Sequence, residues 1–245
     1  MKSCFAGQTD PGLLRSFNQD AYHLDPEGRF FIVADGMGGH AGGQEASLIA
    51  TQKIQAYLEQ NWQSSIESPK LLEQALYDAN QAIIEDQKSH PERSDMGTTV
   101  VVVMFRLQDS WFSHVGDSRL YRFRQSKLEQ ITEDHTWVAK ATKAGEISPE
   151  QARMHPWRHV LSQCLGRRDL PPVEVEPLDV QPGDRLLLCT DGLTEELDDS
   201  IIALDLKSSI KNQDAAAKLI EAAKQEGGRD NITVVIVEID KSESG

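Results

Sequence analysis

The stretch Phe30-Phe31-Ile32-Val33-Ala34-Asp35-Gly36-Met37-Gly38-Gly39-His40 admits three readings, and the choice among them sets the fold. Its first five residues are an apolar run of the kind that forms a buried strand. Asp35-Gly36 is then a common hairpin-turn signal. Gly36-x-Gly38-x-x-Ala41, after a strand and before a helix, also matches the fingerprint of dinucleotide-binding α/β folds, with Glu59 at a tolerable distance for a ribose. The third reading is an acidic loop whose glycines let backbone carbonyls approach a cation closely. The dinucleotide reading fails twice. Asp35 would repel a pyrophosphate, and the helix expected over 43–60 is followed by a second helix over 69–88, where a second strand is needed.

Outward from this stretch, apolar runs predict strands at 4–9 and 21–24 before it, and at 98–106, 110–115, 120–124 and 128–131 after the helix pair. Gln108-Asp109 suits a hairpin turn. Ser68 suits the N-cap of the second helix, with Pro69 at its first position. The 134–168 region turns helical and polar. Strands return at 173–176 and 186–190, and a helix over 214–225 precedes a last strand at 232–239. Strands in series, with paired helices instead of β-α-β alternation, predict antiparallel sheets with helices packed outside. No linker divides 1–240, so one domain is expected, with a frayed tail at 241–245.

Four apolar runs carry an aspartate at one end. Asp35 and Asp191 follow 30–34 and 186–190, Gly116-Asp117 follows 111–115, and Asp230 precedes 232–237. Each alone reads as a turn aspartate. Together they would place four carboxylates on one rim of the core. Like charges about 4 Å apart repel by roughly 4 kcal/mol at an effective dielectric of about 20. A cation must offset that, and an oxygen-only ligand set suits Mg²⁺ or Mn²⁺.

The 245 residues hold 25 basic and 39 acidic side chains, a net charge of −14. That balance argues against nucleic acid or an anionic membrane as partner. Three dispersed cysteines form no C-x-x-C pair, which fits a reducing cytoplasm and indicates neither a zinc site nor a disulfide framework. The N-terminal residues lack a signal-like apolar stretch, and the run at 100–105 is far short of the roughly 20 residues of a membrane helix. A soluble, cytoplasmic monomer is expected. Cysteine-phosphatase chemistry needs Cys-x5-Arg, and Asp10, Leu170 and Glu195 stand where that arginine would be. Gly116-Asp117-Ser118 hints at a serine hydrolase, but Arg119 interrupts the motif and no histidine follows His159. A phosphate-binding Gly-x4-Gly-Lys loop is missing.

Arg15-x-x-Asn18-Gln19-Asp20, Asp35-Gly36-Met37-Gly38-Gly39, Gly97-Thr98-Thr99, Gly116-Asp117-Ser118-Arg119, Asp191-Gly192-Leu193 and Gly228-Arg229-Asp230-Asn231 occur in one order. In these motifs the chain resembles the metal-dependent PPM (PP2C-type) serine/threonine phosphatases, in their compact bacterial, cyanobacterial-like form, over about 3–239. The resemblance implies an α+β fold, a four-layer α-β-β-α sandwich of two antiparallel sheets. It implies hydrolysis of phosphoserine and phosphothreonine in proteins by a hydroxide shared between two Mn²⁺ or Mg²⁺ ions, without a phosphoenzyme.

Carried over by motif, Asp35 bridges two ions, Asp191 and Asp230 complete the first site, and the Gly36 carbonyl serves the second. Asp117 shares a third ion with Asp191, Asp20 reaches the second ion through water, and Arg15 grips the phosphate. Met37 stands where many eukaryotic relatives have histidine, leaving His40 or water as donor to the leaving alkoxide. Gln19 stands where many have a carboxylate. The 134–166 segment corresponds to a variable flap, whose Trp137, Trp157, Lys143, Arg153 and Arg158 are candidates to meet the substrate or, for the tryptophans, to pack the flap down. The implied partner is a phosphorylated protein, such as a nitrogen-sensing PII protein or the target of a bacterial serine/threonine kinase. A non-catalytic module of the same fold and a small-molecule phosphoesterase are the competing functions.

Overall fold

A computed structural model describes residues 3–39 and 41–240. The strands are β1 (Ser3–Asp10), β2 (Asp20–Leu24), β3 (Phe30–Met37), β4 (Gly97–Thr98), β5 (Val100–Arg106), β6 (Asp109–Val115), β7 (Arg119–Arg124), β8 (Lys127–Gln130), β9 (Val175–Pro177), β10 (Arg185–Cys189) and β11 (Ile232–Ile239). The helices are α1 (Gly42–Asn61), α2 (Ser68–Ser89), α3 (Trp137–Lys143), α4 (Pro149–Met154), α5 (Asp191–Thr194), α6 (Asp199–Ser208) and α7 (Asn212–Glu226). One antiparallel sheet runs β1-β11-β10-β7-β8 and the other β2-β3-β5-β6-β9, with β4 paired to the end of β3.

Strand alternation divides the apolar residues into three layers. Phe31, Val33, Val101 and Val103 of one sheet meet Leu186, Leu188, Val235 and Val237 of the other. Their neighbours Phe30, Ile32, Val100 and Val102 face outward onto α1 and α2, against Ala50, Ile54, Leu72 and Leu76. On the far side Leu187, Cys189, Val234 and Ile236 pack against α6 and α7 through Ile202, Leu206, Leu219 and Ile220. The near-continuous apolar runs of β3, β5, β10 and β11 follow from this, since both faces of each strand are covered. The result is the expected α-β-β-α sandwich.

Two buried arginines tie the helix pairs to their sheets. Arg106 donates to the carbonyls of Trp62 (3.1 Å), Ser64 (2.7 Å) and Ile66 (2.6 Å) in the α1–α2 connection. Arg185 donates to those of Leu206 (2.6 Å), Ser209 (2.7 Å) and Ile210 (2.7 Å) in the α6–α7 connection. Each buried guanidinium gathers three carbonyls of a surface connection and so fastens it to the sheet.

Local expectations differ from the structure at several points. Asp35-Gly36 is no turn: β3 runs on to Met37 because β4 pairs with Gly36 and Met37. Asp191 opens the short helix α5. α6 has no counterpart in the sequence reading, since only Ile202, Asp205 and Leu206 of its ten residues are buried and the apolar signal is short. Ser68 is the first helical residue, with Glu67 at the N-cap. The β5–β6 hairpin turns at Leu107-Gln108, one residue earlier than expected. The 134–168 region is only partly helical, with α3 and α4 joined by irregular backbone.

Candidate metal centre

The antiparallel register sets Asp20, first in β2, opposite Asp35, near the end of β3. In the other sheet Cys189, last in β10, pairs with Val234 near the start of β11. Asp191 and Asp230 therefore flank that sheet at the same end of the sandwich. Asp117 follows β6 after Gly116, whose φ of +109° and crowding against the Thr99 side chain leave no place for a Cβ. Gly36 packs against Gly43 so closely that a Cβ there would collide with the Gly43 carbonyl. A cleft of about 430 Å³ opens at this end, walled by Arg15, Asp35, Gly36, Asp117, Asp191 and Asp230.

Asp35 is held by its backbone. Its N–H donates to Thr99 Oγ1 (3.0 Å), and its carbonyl accepts from Thr99 N (2.8 Å) and Thr98 Oγ1 (2.8 Å). The buried Thr99 and Ser118 hydroxyls pair at 2.6 Å, linking this anchor to the residue beside Asp117. Asp20 Oδ2 accepts from Thr190 Oγ1 (2.9 Å) and Thr233 Oγ1 (2.6 Å). Asn231 reaches back to the β1–β2 connection: its Nδ2 donates to the carbonyls of Pro11 and Phe17, both at 3.0 Å, and its Oδ1 accepts from Gln19 N (2.8 Å). That clamp presents Arg15, whose Nη2 donates to Asp230 Oδ2 at 2.7 Å.

Burial, and after it the surrounding carboxylates, pushes the Asp20 carboxyl up to about 7 against the pull of its two threonine donors. Burial, then Glu195 and Asp230, pushes Asp191 up to about 6. Asp35 and Asp117 are also raised well above the ordinary carboxylate range, first by burial and then by neighbouring aspartates. Uncompensated negative charge of this kind is what a divalent cation relieves.

The donors fit such an ion. Asp20 Oδ1 and Asp191 Oδ1 are buried without a hydrogen-bond partner. Oxygen donors dominate, as hard cations require. One ligand atom each of Asp191, Glu195 and His159 also falls within 4.8 Å of the others.

All the sequence-derived aspartates, Gly36 and Arg15 therefore come to one end of the fold, with Asp20 behind the cleft wall. His40 lies outside the described residues. Residues that build the site but have no role in the sequence reading include His159, which pairs with Glu195 at 2.5 Å, Thr190 and Thr233, and Asn231, which enters there only as part of a motif. The tryptophans of 134–166 pack on each other: Trp137 stacks on His155 (4.8 Å) and meets Trp157 edge-on (5.0 Å). Lys143 is engaged with Glu133 at 2.8 Å.

A family model described as protein phosphatase 2C matches residues 15–233. The chain belongs to the protein phosphatase 2C family. It is 34% identical to the serine/threonine protein phosphatase PstP of Mycobacterium tuberculosis over 96% of its length, and it spans 45% of that relative. It is also 34% identical to the serine/threonine phosphatase stp of Listeria monocytogenes, covering 97% of this chain and 96% of that one. Among solved structures of the family, the catalytic domain of PstP in complex with two manganese ions superposes with a TM-score of 0.87 at 32% identity, over 97% of this chain and 99% of that one. The two-sheet sandwich is thus the family's fold, as the motif resemblance implied.

Proposed function

We propose that this chain is a divalent-metal-dependent phosphatase that hydrolyses phosphoserine and phosphothreonine in proteins. The observation that carries this is the convergence at one cleft of Asp35, Asp117, Asp191 and Asp230, with Asp191 Oδ1 buried and without a hydrogen-bond partner, and the guanidinium of Arg15. Asp35, Asp191, Asp230 and the Gly36 carbonyl would hold two ions and Asp117 with Asp191 a third, with Asp20 supporting the second through water. Bound Mn²⁺ or Mg²⁺ supplies Lewis acidity, lowering the pKa of water and offsetting charge on the phosphoryl oxygens.

The protein's own groups orient the ester. Arg15 forks onto the phosphoryl oxygens, exchanging its bond to Asp230 for the substrate. Water attacks phosphorus, the P–O bond to the seryl or threonyl oxygen breaks, and a proton passes to the leaving alkoxide from His40 or from water. Cys164 also lines the cleft, and burial raises its thiol, which disfavours the nucleophilic thiolate; the proposed route has no phosphoenzyme.

Residues 1–240 act as one phosphatase domain, with 134–166 as a flap beside the cleft. The substrate is a phosphorylated signalling protein, of the PII type or the target of a serine/threonine kinase, met by a cytoplasmic monomer. The net charge of −14 disfavours nucleic acid, and no helix among the described residues is long and apolar enough to cross a membrane. The test is a Mn²⁺ titration with a phosphothreonine peptide and a phosphorylated metabolite, wild type against Asp191→Ala. Metal-dependent turnover of the peptide, lost in the variant, supports the reading. Turnover of the metabolite alone, or none at any metal concentration, defeats it.

A further inference from the structure

Twelve large apolar side chains are exposed among the described residues, and six of them fall in two short segments, 13–17 and 154–160. These segments adjoin residues that wall the cleft: Arg15 and Gln19 on one side, His159 and Leu161 on the other. In the first segment Leu13 is 60% exposed, Leu14 70% and Phe17 69%, bracketing Arg15. Single exposed apolar residues are ordinary on protein surfaces, but a cluster beside a binding cleft marks an interaction site.

The backbone under these side chains is fastened. Leu13 N–H donates to the Gly228 carbonyl at 2.7 Å, and Asn231 holds the carbonyls of Pro11 and Phe17. Gly12, at φ +76°, tucks against the Asp230 and Gly228 carbonyls, where no Cβ fits. The side chains thus stand outward on a rigid ledge, an arrangement that lowers the ordering cost of binding. Arg15 is the only charged residue in 11–17. The ledge is therefore neutral and apolar around a single phosphate-directed cation.

We propose that Leu13, Leu14 and Phe17 form a docking ledge for the substrate chain, receiving an apolar side chain within a few residues of its phosphorylated serine or threonine. This rests on the phosphatase reading above. The occupant is the substrate because the ledge is continuous with the cleft through Arg15. Leu14 and Phe17 bracket Arg15 in the chain and stand exposed beside a phosphate held there. The substrate class is then phosphosites flanked by leucine-like residues, in preference to those flanked by polar residues.

The experiment compares two phosphothreonine decapeptides in saturating Mn²⁺, one with leucine two residues to either side of the phosphothreonine and one with serine there. Wild type is expected to favour the leucine peptide about tenfold in kcat/KM, mostly through KM, as burial of one apolar side chain predicts. The double variant Leu14→Ser/Phe17→Ser loses this preference while its turnover of p-nitrophenyl phosphate is unchanged, and Leu14→Met/Phe17→Leu keeps it. Equal use of both peptides by wild type, or an unchanged preference in the serine variant, overturns the ledge. A concentration-dependent dimer in sedimentation that the serine variant abolishes assigns the face to a second copy of this chain, and overturns it too. Failure of wild type to release phosphate from either peptide defeats the phosphatase reading instead.

Discussion

Thr99 holds Asp35 through two backbone contacts: it accepts the Asp35 N–H at its hydroxyl oxygen (3.0 Å) and donates its own N–H to the Asp35 carbonyl (2.8 Å). The same hydroxyl meets Ser118 at 2.6 Å, next to Asp117. One buried threonine therefore sets the position of two acidic residues that arrive on different strands. Its bonds to Asp35 are made with the backbone alone, and both aspartates line the cleft.

Thr99→Val removes the acceptor and leaves the Asp35 N–H buried without a partner. The expected loss of stability is about 1–3 kcal/mol. Half-saturation with Mn²⁺ should also move to higher concentration, because Asp35 and Asp117 lose their common tether. Thr99→Ser restores both. Urea melts and a metal titration check this; a valine variant matching wild type in both rules it out.

Stability without metal should depend on pH in a particular direction. Burial pushes the carboxyls of Asp20 and Asp191 up to about 7 and about 6 in the fold, above an unfolded value of about 3.9. A raised carboxyl favours the folded state while protonated. That contribution is complete below about pH 4 and is lost as pH rises through 6 and 7. In EDTA, Tm should therefore fall between pH 5 and pH 8. Mn²⁺ at one hundred times its Kd should restore about 5–10 °C at pH 8. Scanning calorimetry at both pH values tests this, and a flat Tm in EDTA counts against the acidic cluster.

Arg15→Ala is expected to raise KM for a phosphothreonine peptide about 10–100-fold, the worth of a charge-assisted hydrogen bond, with little change in Tm because the side chain is half exposed. Arg15→Lys recovers only part of this, since an ammonium lacks the fork. Steady-state kinetics with a thermal melt separate the two effects. A variant that loses stability while keeping its KM assigns Arg15 to the fold.

Trp137→Ala should loosen the 134–166 segment without unfolding the body. It removes the centre of the Trp137–His155–Trp157 stack, where each aromatic pair is worth about 0.5–1.5 kcal/mol. Limited proteolysis should cut this segment faster while the main melting transition stays in place. Unchanged cutting would show that the segment is held by other contacts.

Much of this was open to inspection in the sequence. Runs such as 30–34 and 232–237 announce strands because both of their faces are covered, and an aspartate at the end of such a run has to sit on the rim of the core. What escaped reading depends on partners distant along the chain. Asp35-Gly36 resembles a turn until β4, more than 60 residues later, pairs with it. Asn231 shows no sign of its reach to Pro11, 220 residues away. α6 went unread because only one edge of it touches the core. His159 gave no signal because a lone histidine in a polar, irregular segment has no periodicity to place it.

The acidic rim draws on both sheets, with Asp20 and Asp35 from one and Asp191 and Asp230 from the other. A slip of one residue between β2 and β3 would turn a carboxyl to the opposite face, and a change in the layering of the sheets would part Asp20 and Asp35 from Asp191 and Asp230. An ion held by all four would bind only the correctly layered chain, so its binding energy would add to the stability of the one arrangement of the two sheets that brings the carboxylates together.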